Sequence, residues 1–281
     1  MTEITVLTTF HRDGMKKYGQ RFIDSFAKNV DKKIKLLVYA EKCVPINPDP
    51  QQIEIIDVDT SLPKLSDFKE KWKDDPKANG IPPNEIKRRR RDWEKTFKWD
   101  AVRFSHKVYA VFDACERNSK DWVVWIDADT FFHSTWSYDE FSNLLPNRTW
   151  LTFVGRGKDR RSWPECGFYG MNMNSVICRE FLKEFEKYYS EAETGIFKLP
   201  EWHDSYVFGH ILKKYQRYHP NVHDYTANLT MREAKTGGGG HPLINTELGK
   251  WIDHLKGGRK ELGKSKDGDL IVQRNEEYWT K

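Results

Sequence analysis

Two carboxylates one residue apart, Asp127 and Asp129, stand directly behind the apolar run Trp122 to Ile126. A run that dense reads as a buried parallel strand, and its end lies at the rim of a sheet, where α/β proteins hold their ligands. Carboxylates leaving such a rim together can share one hard divalent cation, Mg²⁺ or Mn²⁺. A cation there neutralises a diphosphate and steadies it as a leaving group. The pair alone also fits two solvated acids at a strand end, and the apolar flanks VVWIDADTFF favour the metal reading.

Near the other end of the chain, His254-Leu255-Lys256-Gly257-Gly258-Arg259-Lys260 gathers an imidazole, two glycines and several cations. The imidazole can complete a carboxylate metal site, glycine lets backbone N–H groups approach phosphate, and the cations bind its oxygens. An ordinary basic surface turn would have the same composition.

The DAD sequence followed about 125 residues later by HxxGxxK resembles the glycogenin and lipopolysaccharide galactosyltransferase family of GT-A glycosyltransferases. The resemblance implies a metal held by Asp129 and His254, with Asp127 on metal or sugar, and Lys260 on the diphosphate. Asp127, Ala128 and Gly257 fall on the cofactor side of the same motifs. It further implies sugar-binding pieces at Glu165-Cys166-Gly167 and Asp204-Ser205, where Gly167 and Asp204 match the family while Glu165 and Ser205 replace amides. The Pro-Trp that commonly ends the second motif is Glu261-Leu262 here. Asp204 and Glu165 are the candidate catalytic residues, Asp204 as a base or as a group that orients the sugar. His203 beside it fits a structural helix start better. UDP is the nucleotide the resemblance favours, with glucose or galactose as the sugar and Mn²⁺ or Mg²⁺ as the ion.

These residues need elements to carry them. Ile4, Val6 and Leu7 make a first strand, the turn His11 to Gly14 follows, and Phe22, Ile23, Phe26 and Val30 recur at helical spacing. Ile34 to Tyr39 and Ile53 to Val58 read as further strands. Thr8, Thr9, Phe10 and His11 end the first strand where such folds bind a nucleotide, and Tyr39 and Glu41 end the second, placed to frame its base. From Glu85 to Glu116 a helical pattern puts Asp100, Arg103 and Lys107 on one face, with Arg103 or Lys107 as the cation for the donor. Strands near Leu151 to Val154 and Phe168 to Met173, and helices near Val176 to Tyr189 and Ser205 to Tyr215, complete the pattern.

The expected fold is α/β of the GT-A type: one domain with a Rossmann-like mixed sheet flanked by helices. Residues 1–130 form its nucleotide half, and 131–281 its sugar and acceptor half with a carboxyl-terminal lid. Prolines and glycine between Thr60 and Pro83 suggest a loop insertion over 60–84. The tetraglycine Gly237 to Gly240 reads as a connector or a lid hinge.

Composition bounds the rest. With 38% hydrophobic and 14% aromatic residues the 281-residue chain can build a core, which excludes a disordered chain. Four cysteines without CxxC spacing indicate neither a zinc knuckle nor a disulfide framework and suit a reducing cytoplasm. The opening residues do not read as a signal peptide, and no stretch nears the roughly 18 apolar residues of a membrane span. The net charge of +5 names no partner. Its clustering in Lys87 to Arg91, and in Lys158 to Trp163, suits either a solvated face or a nucleic-acid surface, so the acceptor is a glycan or a hydroxymethylated base in DNA. A metal-dependent nuclease, or a non-catalytic nucleic-acid-binding protein, is the rival reading.

Overall fold

The computed structural model describes residues 2–81, 96–118, 120–157, 163–229 and 241–281. The cation runs 87–91 and 158–161 and the tetraglycine 237–240 lie outside the described residues.

Among the described residues, seven strands form one mixed sheet in the order β3-β2-β1-β4-β7-β6-β8. They are β1 (Ile4–His11), β2 (Lys35–Glu41), β3 (Ile53–Asp57), β4 (Trp122–Ile126), β6 (Leu151–Val154), β7 (Glu165–Asn172) and β8 (Val222–Asp224). β1, β2, β3 and β4 run parallel, and β7 lies antiparallel to both β4 and β6. The chain moves outward from β1 through β2 to β3, then returns to place β4 on the other side of β1. That reversal leaves a crevice beyond the carboxyl ends of β1 and β4, which is where open α/β sheets hold ligands. A separate two-stranded ribbon pairs β5 (Thr130–Phe132) with β9 (Ile252–His254).

Both faces of the main sheet are covered, which is why β4 is buried at every position. Strand alternation sends Leu37, Tyr39, Val123 and Trp125 to one face. There they meet α2 (Pro63–Trp72), α3 (Ala101–Arg117), α5 (Val176–Ser190) and α6 (Asp204–Gln216). Val38, Val124 and Ile126 point the other way, into α1 (Gln20–Asn29), Phe132 of the ribbon and α4 (Tyr138–Asn143). Trp136 and Trp251 stack there with ring centroids 4.9 Å apart, which binds the segment before α4 to the segment before β9. Among the described residues no helix is long and apolar enough to cross a membrane, and all four cysteines are free.

The stretch read as a loop insertion, 60–84, contains α2 instead. Pro63 does not break this helix because it occupies the first turn, where its missing N–H costs nothing. Leu65 and Phe68, one turn apart, are buried, and the Phe68 ring lies 5.9 Å from that of Tyr109 on α3 and 5.8 Å from that of Tyr189 on α5. The strand expected near Phe168 begins three residues earlier, at Glu165, so Glu165 and Gly167 are strand residues. Because Phe68 joins three helices, Phe68→Ala should lower stability by about 3 kcal/mol in urea unfolding. A loss under about 0.5 kcal/mol would show that this segment is not docked as described.

Candidate metal centre and its cleft

The turn after β4 is short and tightly held. Asp127 donates its backbone N–H to Gly167 O at 2.9 Å, and Thr130 donates to Asp127 O at 3.1 Å. The chain therefore reverses within Asp127, Ala128 and Asp129 before entering β5. There Thr130 is registered opposite His254, and Leu255 donates its N–H to Asp129 O at 2.7 Å. Backbone pairing thus fixes His254 against Asp129 across a separation of 125 residues.

One ligand atom from each of Asp127, Asp129 and His254 lies within 4.8 Å of the others. His254 Nε2 is 3.2 Å from Asp129 Oδ1 and 3.5 Å from Asp127 Oδ2. The ring is buried against Gly167, where a Cβ would come within 2.7 Å of His254 Cε1. Gly167, expected on the donor sugar, is the floor on which the imidazole rests. Behind β9, the Asp253 carboxylate accepts from Ser265 N at 2.8 Å, from Ser265 Oγ at 2.6 Å and from Tyr278 Oη at 2.8 Å. His241 Nε2 lies 2.8 Å from the same Ser265 hydroxyl. This buried network anchors the strand that presents His254.

Asp127 Oδ1 accepts from Trp125 Nε1 at 2.7 Å and from Lys107 Nζ at 3.0 Å. Lys107 also bonds Asp204 Oδ2 at 2.8 Å and the Cys166 carbonyl. Lys260 Nζ reaches Asp129 Oδ2 at 2.9 Å while lying 4.8 Å from the centre of the Tyr18 ring. Burial opposes the charge on both aspartates, but Lys107 and His254 at Asp127, and His254 and Lys260 at Asp129, outweigh it and hold both carboxyls below their usual range. Burial likewise opposes charge on His254, yet the two carboxylates pull its pKa well up. A field that attracts a proton this strongly also attracts a cation. Two carboxylate oxygens and one imidazole nitrogen fit a divalent ion, with carboxylate suiting Mg²⁺ or Mn²⁺ and imidazole favouring the transition metal.

The centre opens on a cleft of about 620 Å³ beyond the ends of β1 and β4. Thr9, Phe10 and His11 line it from β1, Arg103 and Lys107 from α3, and Asp127, Ala128, Asp129 and Lys260 from the centre. Lys260 can turn back to Asp129 because Gly257 adopts φ +66°, in the left-handed region that favours glycine. Its neighbour Arg259 is held by Asp269 at 2.6 Å and faces away from any phosphate role.

Several expected residues stand elsewhere. Thr8 is fully buried, because strand alternation turns it from the face that Thr9 presents. Tyr39 is corrected from base-framing residue to core residue: its ring is buried and its hydroxyl donates to Asp113 Oδ2 at 2.6 Å. Glu165 is buried between Arg156 at 2.9 Å and Lys256 at 2.8 Å, and does not line the cleft. Burial opposes its charge, but Lys256 and Arg156 hold its carboxyl at about 2. Asp204 sits one layer below the aspartate pair, joined to it through Lys107. His203 caps α6 by accepting Tyr206 N–H at 3.3 Å and is steadied by Glu201 at 2.9 Å.

Tyr18, His106 and Trp125 also line the cleft. Trp125 was detectable, since i and i+2 on a strand share a face and place it beside Asp127. His106 precedes Lys107 on the helix, and only its tertiary partner distinguishes it from any other polar helix residue. Nothing local marks Tyr18, which reaches the cleft from the wide turn Met15–Gly19.

No protein family matches the sequence, and no curated protein is similar to it. Among solved structures, the chain is similar to mouse xyloside xylosyltransferase 1 in its apo form, at 11% identity, over 79% of this chain and 84% of that one, with a TM-score of 0.41.

Gly167→Ala tests the packing of the centre. The added methyl should displace the His254 ring and weaken Mn²⁺ binding at least about tenfold in a competition titration with a fluorescent metal indicator. Unchanged Mn²⁺ affinity in the folded variant would contradict the described contact.

Proposed function

We propose that this chain is a metal-dependent glycosyltransferase of the GT-A type, which moves a hexose from a nucleoside diphosphate donor to an acceptor hydroxyl. The observation that carries the reading is the convergence of Asp127, Asp129 and His254 at the crevice between β1 and β4, with Lys260 beside them. A divalent ion bound there would supply Lewis-acid neutralisation of the diphosphate leaving group. Lys260 and Arg103 stand in the same cleft as cations for phosphate oxygens. Lys107 balances the charges of Asp127 and Asp204, and so keeps both carboxylates in place under a polyanionic ligand. Its burial and its ion pair favour Asp204 as a group that holds Lys107 on the sugar side of the site over Asp204 as a free base. Glu165, held by two cations, has no open side toward the cleft and is a structural anion in this reading.

UDP is the favoured nucleotide, with glucose or galactose as the sugar and Mn²⁺ as the ion, on the resemblance of the two motifs. The cation runs that would meet DNA lie outside the described residues, and the acceptor is proposed by its hydroxyl alone. Isothermal titration of UDP, with and without Mn²⁺, on wild type and Asp129→Ala tests the proposal. Binding should require the metal and fall at least about a hundredfold in the variant, since one of three protein ligands is gone. Failure of both UDP and GDP to bind, with nucleic acid hydrolysed in the absence of any sugar nucleotide, would instead favour a nuclease.

A further inference from the structure

Across the cleft from the metal centre, Glu41, at the end of β2, is only 5% exposed and holds two side chains of different kinds. Lys69 of α2 bonds one of its oxygens, and His106 Nδ1 of α3 lies 3.0 Å from the other. A structural reading, in which an ion cluster pins α2 and α3 to the sheet, accounts for Lys69. It does not account for His106, which lines the cleft and has no hydrogen-bond partner for Nε2 among the described residues.

Glu41 is an acceptor, so it holds the proton of a neutral imidazole on Nδ1 and leaves Nε2 as an acceptor in turn. The position of the ring limits what it can meet. His11 of β1 pairs with Glu41 of β2, while β4 with its aspartates lies on the other side of β1. Two strand spacings, roughly 10 Å, therefore separate the metal side of the cleft from the His106 side. A diphosphate anchored at Asp127, Asp129 and Lys260 has two arms. The arm toward β7 and Asp204 is the sugar in the reading above, and the arm toward β2 is then the nucleoside. Phe104, half-buried, lines the cleft on that side and offers flat apolar surface to a heterocycle.

We propose that His106, positioned by Glu41, accepts a hydrogen bond from the imide N–H of the donor's base, and so selects uracil over cytosine. The inference rests on the donor reading above and deepens it. Uracil presents an N–H donor at the ring position where cytosine presents a lone pair, so Nε2 completes a hydrogen bond with the first and faces an acceptor in the second. A site that leaves a polar atom unpaired rejects the wrong ligand strongly. Glu41 is a positioning residue: it fixes the tautomer that makes the discrimination.

The test uses the full chain with Mn²⁺ at pH 8. UDP, CDP and inorganic pyrophosphate are titrated calorimetrically against wild type, His106→Phe and His106→Gln. Wild type should prefer UDP to CDP by about tenfold or more. His106→Phe, which keeps a ring but removes the acceptor, should bring the two within about twofold and leave pyrophosphate unchanged. His106→Gln, whose amide oxygen can take the same N–H, should keep a preference of about threefold. An unchanged UDP:CDP ratio in His106→Phe overturns this inference alone. Equal losses of UDP and pyrophosphate would also overturn it, by placing the effect at the metal centre. Absence of Mn²⁺-dependent binding of both UDP and pyrophosphate to wild type would sink the donor reading itself.

Discussion

The pairing of β5 with β9 carries the site. Asp127 and Asp129 come with the sheet, but a pair of carboxylates at a strand end is a common feature with no fixed purpose. It becomes a three-residue centre only because Thr130 is registered opposite His254 and Leu255 bonds back to Asp129 O at 2.7 Å. A one-residue slip in that ribbon would turn His254 to the other face and bring Asp253 forward. The network around Asp253, the stacking of Trp251 on Trp136 and the seating of His254 on Gly167 all oppose such a slip. Much of the carboxyl-terminal segment thus serves to hold one imidazole.

Charge is the second constraint. Two aspartates converge on a buried histidine, and a third, Asp204, lies close beneath, so uncompensated repulsion would open the site. Lys107 compensates from below and Lys260 from above, at 3.0 Å and 2.9 Å from the aspartate pair. The two lysines differ in what they can do next. Lys107 is 10% exposed and locked among two carboxylates and a carbonyl, whereas Lys260 is 28% exposed and borders the cleft. Lys260 can exchange its bond to Asp129 for a ligand phosphate, and Lys107 cannot leave without stranding the buried Asp204 and the half-buried Asp127.

Much of this was legible in sequence where local pattern and chemistry coincide. The apolar run before Asp127 announced a buried strand, and β4 and β6 begin and end where the pattern placed them. The joint presence of DAD and HxxGxxK pointed to one site because each supplies what the other lacks. The failures have physical causes. Fully buried strands read as continuous apolar runs, which hide which face a residue takes, so Thr8 and Thr9 could not be sorted. Pro63 looked like a breaker because a proline that starts a helix has the same local signature as one that ends it. Gly167 matched a motif, but its steric reason is contact with His254, a partner 87 positions away that no local pattern reveals.

The central claim is that Asp127, Asp129 and His254 hold one divalent ion against a diphosphate. Pulsed electron paramagnetic resonance of Mn²⁺ bound together with UDP tests it most directly. The account predicts hyperfine coupling to one imidazole nitrogen and to phosphorus in the wild type, with the nitrogen coupling lost in His254→Ala. Manganese that binds with UDP but shows no nitrogen coupling, or a coupling that survives in His254→Ala, would contradict it.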